Sequence, residues 1–245
     1  GEIKGLSGGV NQSGVRDHNE RPVLSVLQRR GAMAGSDLAR LINLSPQTVS
    51  IILRRLESDG LVVRGEPSRG RVGKPSIPMR LNPDGVLSIG FKVGRRSAEL
   101  VLTGLDGGVR QQLQEHYDYP FPEAVFRMLE RGIAGFIEGL RPDERLRLSG
   151  IGIAAPFELW KWHDLTGDMA EKFRTWKDVD FAREVARFSD LPVFVLNDGT
   201  AACHAEHLYG RGKEFRDYAF FFVSSFIGGG VVLNNTVFAG NLGNA

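Results

Sequence analysis

At 245 residues, with 42% apolar and 24% charged residues, the chain can bury a sizeable core, which excludes a globally disordered polymer and makes two domains the natural division. One cysteine, Cys203, excludes an internal disulfide and a cysteine-rich zinc module within these residues. No apolar run reaches the roughly 20 residues of a membrane helix, and Gly1-Glu2-Ile3-Lys4 lacks the basic start and apolar block of a secretory signal, so a cytoplasmic protein without a membrane partner is expected. Net charge is only +2, yet Lys and Arg crowd between Arg16 and Arg80 and are matched by acids afterwards, which places any nucleic-acid surface early in the chain.

Residues Gly1 to Gly14 hold five glycines and little periodicity, so the first helix is expected to begin near Asn19, after a flexible arm. Val23, Leu24, Val26 and Leu27 recur at helical spacing up to Arg30, with Pro22 in the first turn and Gly31 as the stop. Ser36 can cap a second helix through Leu41. Ser45-Pro46 then pairs a cap with a proline at the first helical position, predicting a third helix to about Ser58. Leu38, Leu41, Leu44, Val49, Ile52, Leu53 and Leu56 form one apolar set for these two helices. Leu61–Arg64 and Ser76–Leu81 read as strands flanking a basic, glycine-rich tip from Pro67 to Pro75.

A short turn between two helices lets the second one present small polar side chains to the major groove, and Ser45 to Leu56 meets that requirement. Gln47, Thr48 and Ser50 stand near its N-terminal end, where side chains meet base edges, and Arg54 and Arg55 follow for phosphates. Gln47 is the first candidate for base readout. The tip adds Arg69, Arg71 and Lys74 on a backbone thin enough for a minor groove. The alternatives are a small three-helix interaction module and a solvated basic face.

Asn82-Pro83-Asp84-Gly85 is a turn, and beyond it apolar strands alternate with longer helices; the domains are therefore set at residues 1–82 and 83–245. Strands are predicted at Val86–Phe91, Ala98–Thr103, Gly150–Ala154, Val193–Leu196, Tyr218–Val223 and Gly230–Leu233, with helices at Pro122–Leu140, Val179–Phe188 and Thr200–Tyr209. A mixed sheet flanked by helices, in an α/β multi-domain chain, follows. Asn197-Asp198 ends a strand and opens a helix, a common ligand position in α/β sheets, although Asp198 can equally serve as the helix cap. Trp160, Trp162 and Trp176 can stack on a ligand ring or fill core. Cys203, His204 and His207 supply too few ligands on one helix face for a closed metal site.

The order of these pieces, with Leu44-Ser45-Pro46-Gln47-Thr48-Val49-Ser50, Gly70-Arg71-Val72-Gly73-Lys74-Pro75, Val193-Phe194-Val195-Leu196-Asn197-Asp198 and Ile227-Gly228-Gly229-Gly230, resembles the ROK family of repressors and sugar kinases. The first part is similar to its repressor branch. The resemblance implies a winged helix-turn-helix followed by an actin-like ATPase, ribonuclease H-like sugar-kinase domain. It further implies an incomplete first lobe, because relatives continue past Ala245 into a Glu, a Gly-His pair and a cysteine-rich zinc loop. No cofactor is expected within these residues; a structural zinc belongs to that continuation.

In the family's kinases an acid and a Gly-Gly-Thr turn organise magnesium and phosphate, where this chain has Lys92-Val93-Gly94-Arg95-Arg96-Ser97. Arg95 and Arg96 could instead meet an anionic ligand or stand in solvent. At the second phosphate loop Phe226 occupies a small-residue position. The resemblance thus implies no enzyme. Asn197 and Asp198 match the family's sugar-contacting pair, and Glu158 follows Ala154-Ala155-Pro156-Phe157 in a loop that lines the pocket, with Phe157 where relatives have glycine. The implied function is a repressor of carbohydrate genes, binding a double-stranded DNA operator as a homodimer or larger oligomer under control of a sugar or sugar derivative. The rivals are an active sugar kinase with an accessory N-terminal module and a sugar-sensing scaffold without DNA binding.

Overall fold

The computed structural model describes residues 12–66, 77–156, 159, 167–223, 227–238 and 240, and divides the chain into two compact units, Gly1–Gly85 and Val86–Ala245. The division falls at the end of the Asn82 turn, where the Asn82 side chain donates to the Gly60 carbonyl at 2.7 Å and the Gly85 amide donates to the Asn82 carbonyl at 2.9 Å.

The first unit holds α1 (Gln12–Arg30), α2 (Gly35–Ile42), α3 (Pro46–Ser58), β1 (Val62–Arg64) and β2 (Met79–Leu81). Helix α1 starts at Gln12, well before Asn19, so Pro22 lies inside it rather than in its first turn. A single glycine such as Gly14 costs only about 1 kcal/mol relative to alanine in a helix, which by itself does not end one. Gly31, at φ +78°, ends it. The N-cap of α2 is Ala34 rather than Ser36, and Asn43 closes the helix in the left-handed region at φ 55°. Buried Val23, Leu27, Leu38, Val49, Ile52, Leu53, Leu56, Val62, Met79 and Leu81 form the core, while Leu41 is exposed. Strands β1 and β2 pair antiparallel, Val62 opposite Leu81, and Met33 bridges to Met79.

The second unit opens with β3 (Leu87–Val93), β4 (Ser97–Gly104) and β5 (Val109–His116), followed by α4 (Pro122–Glu138), α5 (Pro142–Arg145) and β6 (Leu148–Ala155). Then come α6 (Asp168–Arg174), a 3-10 turn (Thr175–Asp178), α7 (Phe181–Val185), β7 (Val193–Asn197) and α8 (Asp198–Tyr209). A second 3-10 turn (Arg211–Glu214) leads to β8 (Tyr218–Val223), β9 (Ile227–Leu233) and β10 (Thr236–Phe238). The five-stranded sheet runs β5-β4-β3-β6-β7: the first three strands form an antiparallel meander, and β6 and β7 add in parallel.

Leu87, Ile89, Phe91 and Val93 alternate into the core as a pleated strand requires. They meet the α4 stripe of Val125, Met128, Leu129, Ile133 and Phe136, spaced at helical period. Gly132 lets that helix lie close, since a Cβ there would stand 2.5 Å from Leu100 Cδ2. Trp176 is core: it is 3% exposed and its indole N–H donates to the Pro120 carbonyl at 2.6 Å. Trp160 and Trp162 lie outside the described residues.

The smaller sheet, β10-β9-β8, turns Tyr218, Phe220 and Phe222 toward partial burial and leaves Phe221, Val223, Ile227 and Leu233 exposed. Among the described residues no helix is long and apolar enough to cross a membrane.

Candidate nucleic-acid interface and ligand loop

Helix α3 is built as the sequence predicts. Ser45 is its N-cap, its hydroxyl accepting from the Thr48 amide at 3.1 Å and sharing a 2.8 Å hydrogen bond with the Thr48 hydroxyl; Pro46 fills the first helical position. Val49, Ile52, Leu53 and Leu56 face inward. Gln47, Ser50, Arg54 and Arg55 are exposed, and Thr48 is half-buried by its role in the cap. The outward face therefore gathers the polar residues named from sequence, with one addition that sequence reading missed: Ile51 is 49% exposed among them.

Two ion pairs brace this face. Arg55 reaches Glu20 on α1 at 3.5 Å. Arg64, at the outer end of β1, holds Glu57 of α3 through two hydrogen bonds at 2.8 and 3.2 Å. That hydrogen bonding keeps the Glu57 carboxyl below its ordinary range and pushes the Arg64 guanidinium up. The pair ties the helix to the strand that leads into the basic tip. A groove of about 280 Å³ opens between them, lined by Ser36, Ser50, Arg54, Glu57, Arg64 and Ile77 among others. Arg69, Arg71 and Lys74 lie outside the described residues.

In the second unit, Asn197 rather than Asp198 caps α8: its side-chain oxygen accepts from the Gly199 and Thr200 amides at 3.0 and 3.4 Å. Asp198 is half-buried at the first helical position and accepts from the adjacent Gly199 amide at 2.8 Å. The loop is packed backbone to backbone, since a Cβ on Gly199 would stand 3.1 Å from the Gly229 amide nitrogen of β9, and one on Gly229 would stand 2.2 Å from the Phe220 carbonyl oxygen. Glu158 lies outside the described residues.

Lys92 is exposed on β3, opposite Glu99 of β4. Arg95 is half-buried, and Arg96 is anchored rather than simply solvated: it donates to the Asp118 carbonyl at 2.6 Å and stands 5.4 Å from the centre of the Tyr119 ring. The Tyr117 hydroxyl donates to the Gly94 carbonyl at 2.7 Å, and burial pushes that phenol up. Through these two bonds the β3–β4 hairpin tip is fastened to the segment after β5. Phe226 lies outside the described residues.

His207 is structural. It is buried, with Nε2 2.9 Å from the Asn235 carbonyl and Nδ1 3.2 Å from the Tyr218 hydroxyl, which joins α8 to the smaller sheet. Burial lowers His204 and raises Cys203 from their ordinary values. Among the described residues no group of three His, Cys, Asp or Glu side chains could hold a metal ion.

A model of winged helix-turn-helix DNA-binding domains matches residues 16–63, and the model of the ROK family matches residues 88–245. The chain is 25% identical over 231 residues to the xylose repressor of Bacillus spizizenii, covering 94% of this chain and 59% of that protein. It is 27% identical over 238 residues to the DNA-binding transcriptional dual regulator NagC of Escherichia coli, covering 94% of this chain and 56% of that protein. The crystal structure of a ROK family transcriptional regulator homologous to the Escherichia coli MLC protein superposes with a TM-score of 0.66 at 22% identity, over 94% of this chain and 58% of that one. The chain thus spans somewhat under two thirds of the length of these relatives and shares their fold, a winged helix-turn-helix followed by a sugar-kinase-like α/β unit. With the family model matched from Ser88 to the last residue, the chain belongs to the ROK family.

Proposed function

We propose that this chain is the operator-binding and sugar-sensing part of a cytoplasmic transcriptional repressor whose kinase-like unit performs no phosphoryl transfer. The observation that carries the reading is the outward face of α3, where Gln47 and Ser50 stand exposed on a helix whose first turn is capped and whose apolar side is fully used. Gln47 is the residue that reads a base edge, Thr48 and Ser50 support it, and Arg54 and Arg55 serve phosphates, with Arg69, Arg71 and Lys74 as a second cationic contact. The names of the relatives, a xylose repressor and a DNA-binding transcriptional regulator, support the same assignment.

The effector in this reading is a sugar or sugar derivative bound at Asn197 and Asp198, with Glu158 nearby. The Asn197 oxygen is committed to the helix cap, so the Asp198 carboxylate is the stronger acceptor for a sugar hydroxyl. Ligand binding would shift the population of DNA-competent states of a homodimer or larger oligomer on two half-sites. Catalysis is argued against by Lys92, which cannot organise magnesium, by Arg96 fastened to Asp118, and by Phe226 in the second phosphate loop.

Fluorescence anisotropy with the chain's own upstream DNA tests the reading. Arg71→Ala with Lys74→Ala is expected to weaken binding to every duplex and to reduce the logarithmic salt slope by about 2, roughly one per phosphate contact. Gln47→Ala is expected to change which site is preferred. Unchanged operator affinity in both variants, or sustained sugar phosphorylation in an ATP-turnover assay, defeats the assignment.

A further inference from the structure

Ile51 occupies a place that packing among the described residues of the first unit does not explain. The inward side of α3 is complete without it: Val49, Ile52, Leu53 and Leu56 are each 7% exposed or less, whereas Ile51 is 49% exposed. A branched apolar side chain left in water forgoes the stabilisation of burial and gains nothing in helix propensity over the polar residues around it. Its neighbours one turn away are Gln47 and Thr48 on one side and Arg54 and Arg55 on the other. They are polar or cationic, which does not suit an apolar protein partner and does suit the anionic walls of a nucleic-acid groove.

The edge of the major groove carries one apolar feature, the C5 methyl of thymine. Ile51 stands four residues after Gln47, so both side chains lie on one face of α3, a helical turn apart. A residue there meets a base or backbone next to the one that Gln47 meets. Arg54, a further three residues on, lies near the same face for phosphate.

We propose that Ile51 is a specificity-determining residue that reads a thymine methyl in each half-site, adjacent to the base contacted by Gln47. The proposal rests on the operator-binding reading above. It adds a demand for thymine at one position, which the polar residues alone do not impose.

The test uses a duplex selected from a random library by the whole chain, with anisotropy measured at one fixed salt concentration. Each thymine of a half-site is replaced in turn by deoxyuridine, which deletes the methyl and leaves every hydrogen-bonding group in place. One position per half-site is expected to weaken binding about three- to tenfold, since one buried methyl corresponds to roughly fourfold. Ile51→Ala is expected to lose a similar factor on the thymine duplex and to stop distinguishing thymine from deoxyuridine at that position. Ile51→Val should retain part of the discrimination, and circular dichroism should show all variants folded, because the side chain lies outside the core. Equal binding of every deoxyuridine duplex, or discrimination that survives in Ile51→Ala, overturns the proposal while leaving DNA binding intact. Failure of the wild-type chain to select any duplex overturns both.

Discussion

Replacing Ser45 with alanine removes the acceptor that orders the first turn of α3. Two interactions go: the Thr48 amide bond at 3.1 Å and the hydroxyl contact with Thr48 at 2.8 Å. Loss of a serine cap costs about 0.5–2 kcal/mol. The hydroxyl contact is exposed, so water replaces it and little is added. Pro46 still fixes its own φ, which holds part of the turn and sets the expectation near 1 kcal/mol. Thermal unfolding of the N-terminal unit should then fall by about 4–8 °C. Gln47 and Thr48 sit in the turn that frays. If DNA binding requires that turn ordered, the same 1 kcal/mol reappears as roughly fivefold weaker operator affinity. Ser45→Thr and Ser45→Asn keep an acceptor and should restore both quantities. Unchanged stability and affinity in Ser45→Ala, or a Thr variant as weak as the Ala variant, would refute the argument that the cap positions the reading residues.

Two further outcomes follow from buried and paired groups. Trp176→Phe should destabilise the second unit by about 2–4 kcal/mol, combining an unsatisfied Pro120 carbonyl with a partial void beside Phe126 and Phe181. Urea unfolding measures it, and a loss well under 1 kcal/mol would mean that the carbonyl is satisfied another way. Glu57 is held below its ordinary value by Arg64, so its contribution is present above about pH 4.3, the unfolded value, and is lost as pH falls through the lower folded value. The stability gap between wild type and Glu57→Gln should therefore close on acidification, and a gap unchanged down to pH 2 would contradict the assignment of that shift to the ion pair.

Ser45-Pro46 with the apolar period of Val49, Ile52, Leu53 and Leu56 made α3 legible because cap, proline and burial all agree at one place. Ile51 escaped notice because periodicity weighs the apolar residues that pack, and only solvent exposure shows which one does not. Strand β5 was silent for the opposite reason: Val109–His116 is nearly all polar, as a half-exposed edge strand can be, so no alternation announces it. Asn197-Asp198 could be located from sequence, but which of the two caps α8 depended on side-chain direction. The fastening of Arg96 to Asp118 joins residues far apart in the chain, a contact that local pattern does not encode.

At Gly199 and Gly229 the start of α8 meets β9 with no side chain between the two backbones. Gly199 and Gly229 meet with only hydrogen atoms in the gap, so no side chain can change rotamer to absorb a displacement. Asn197 and Asp198 are joined rigidly to Gly199, and β9 is hydrogen-bonded along its length to β8. At this contact a displacement of the loop has to be met by backbone, and the strand it meets is bonded to the one that carries the exposed Phe221 and Val223.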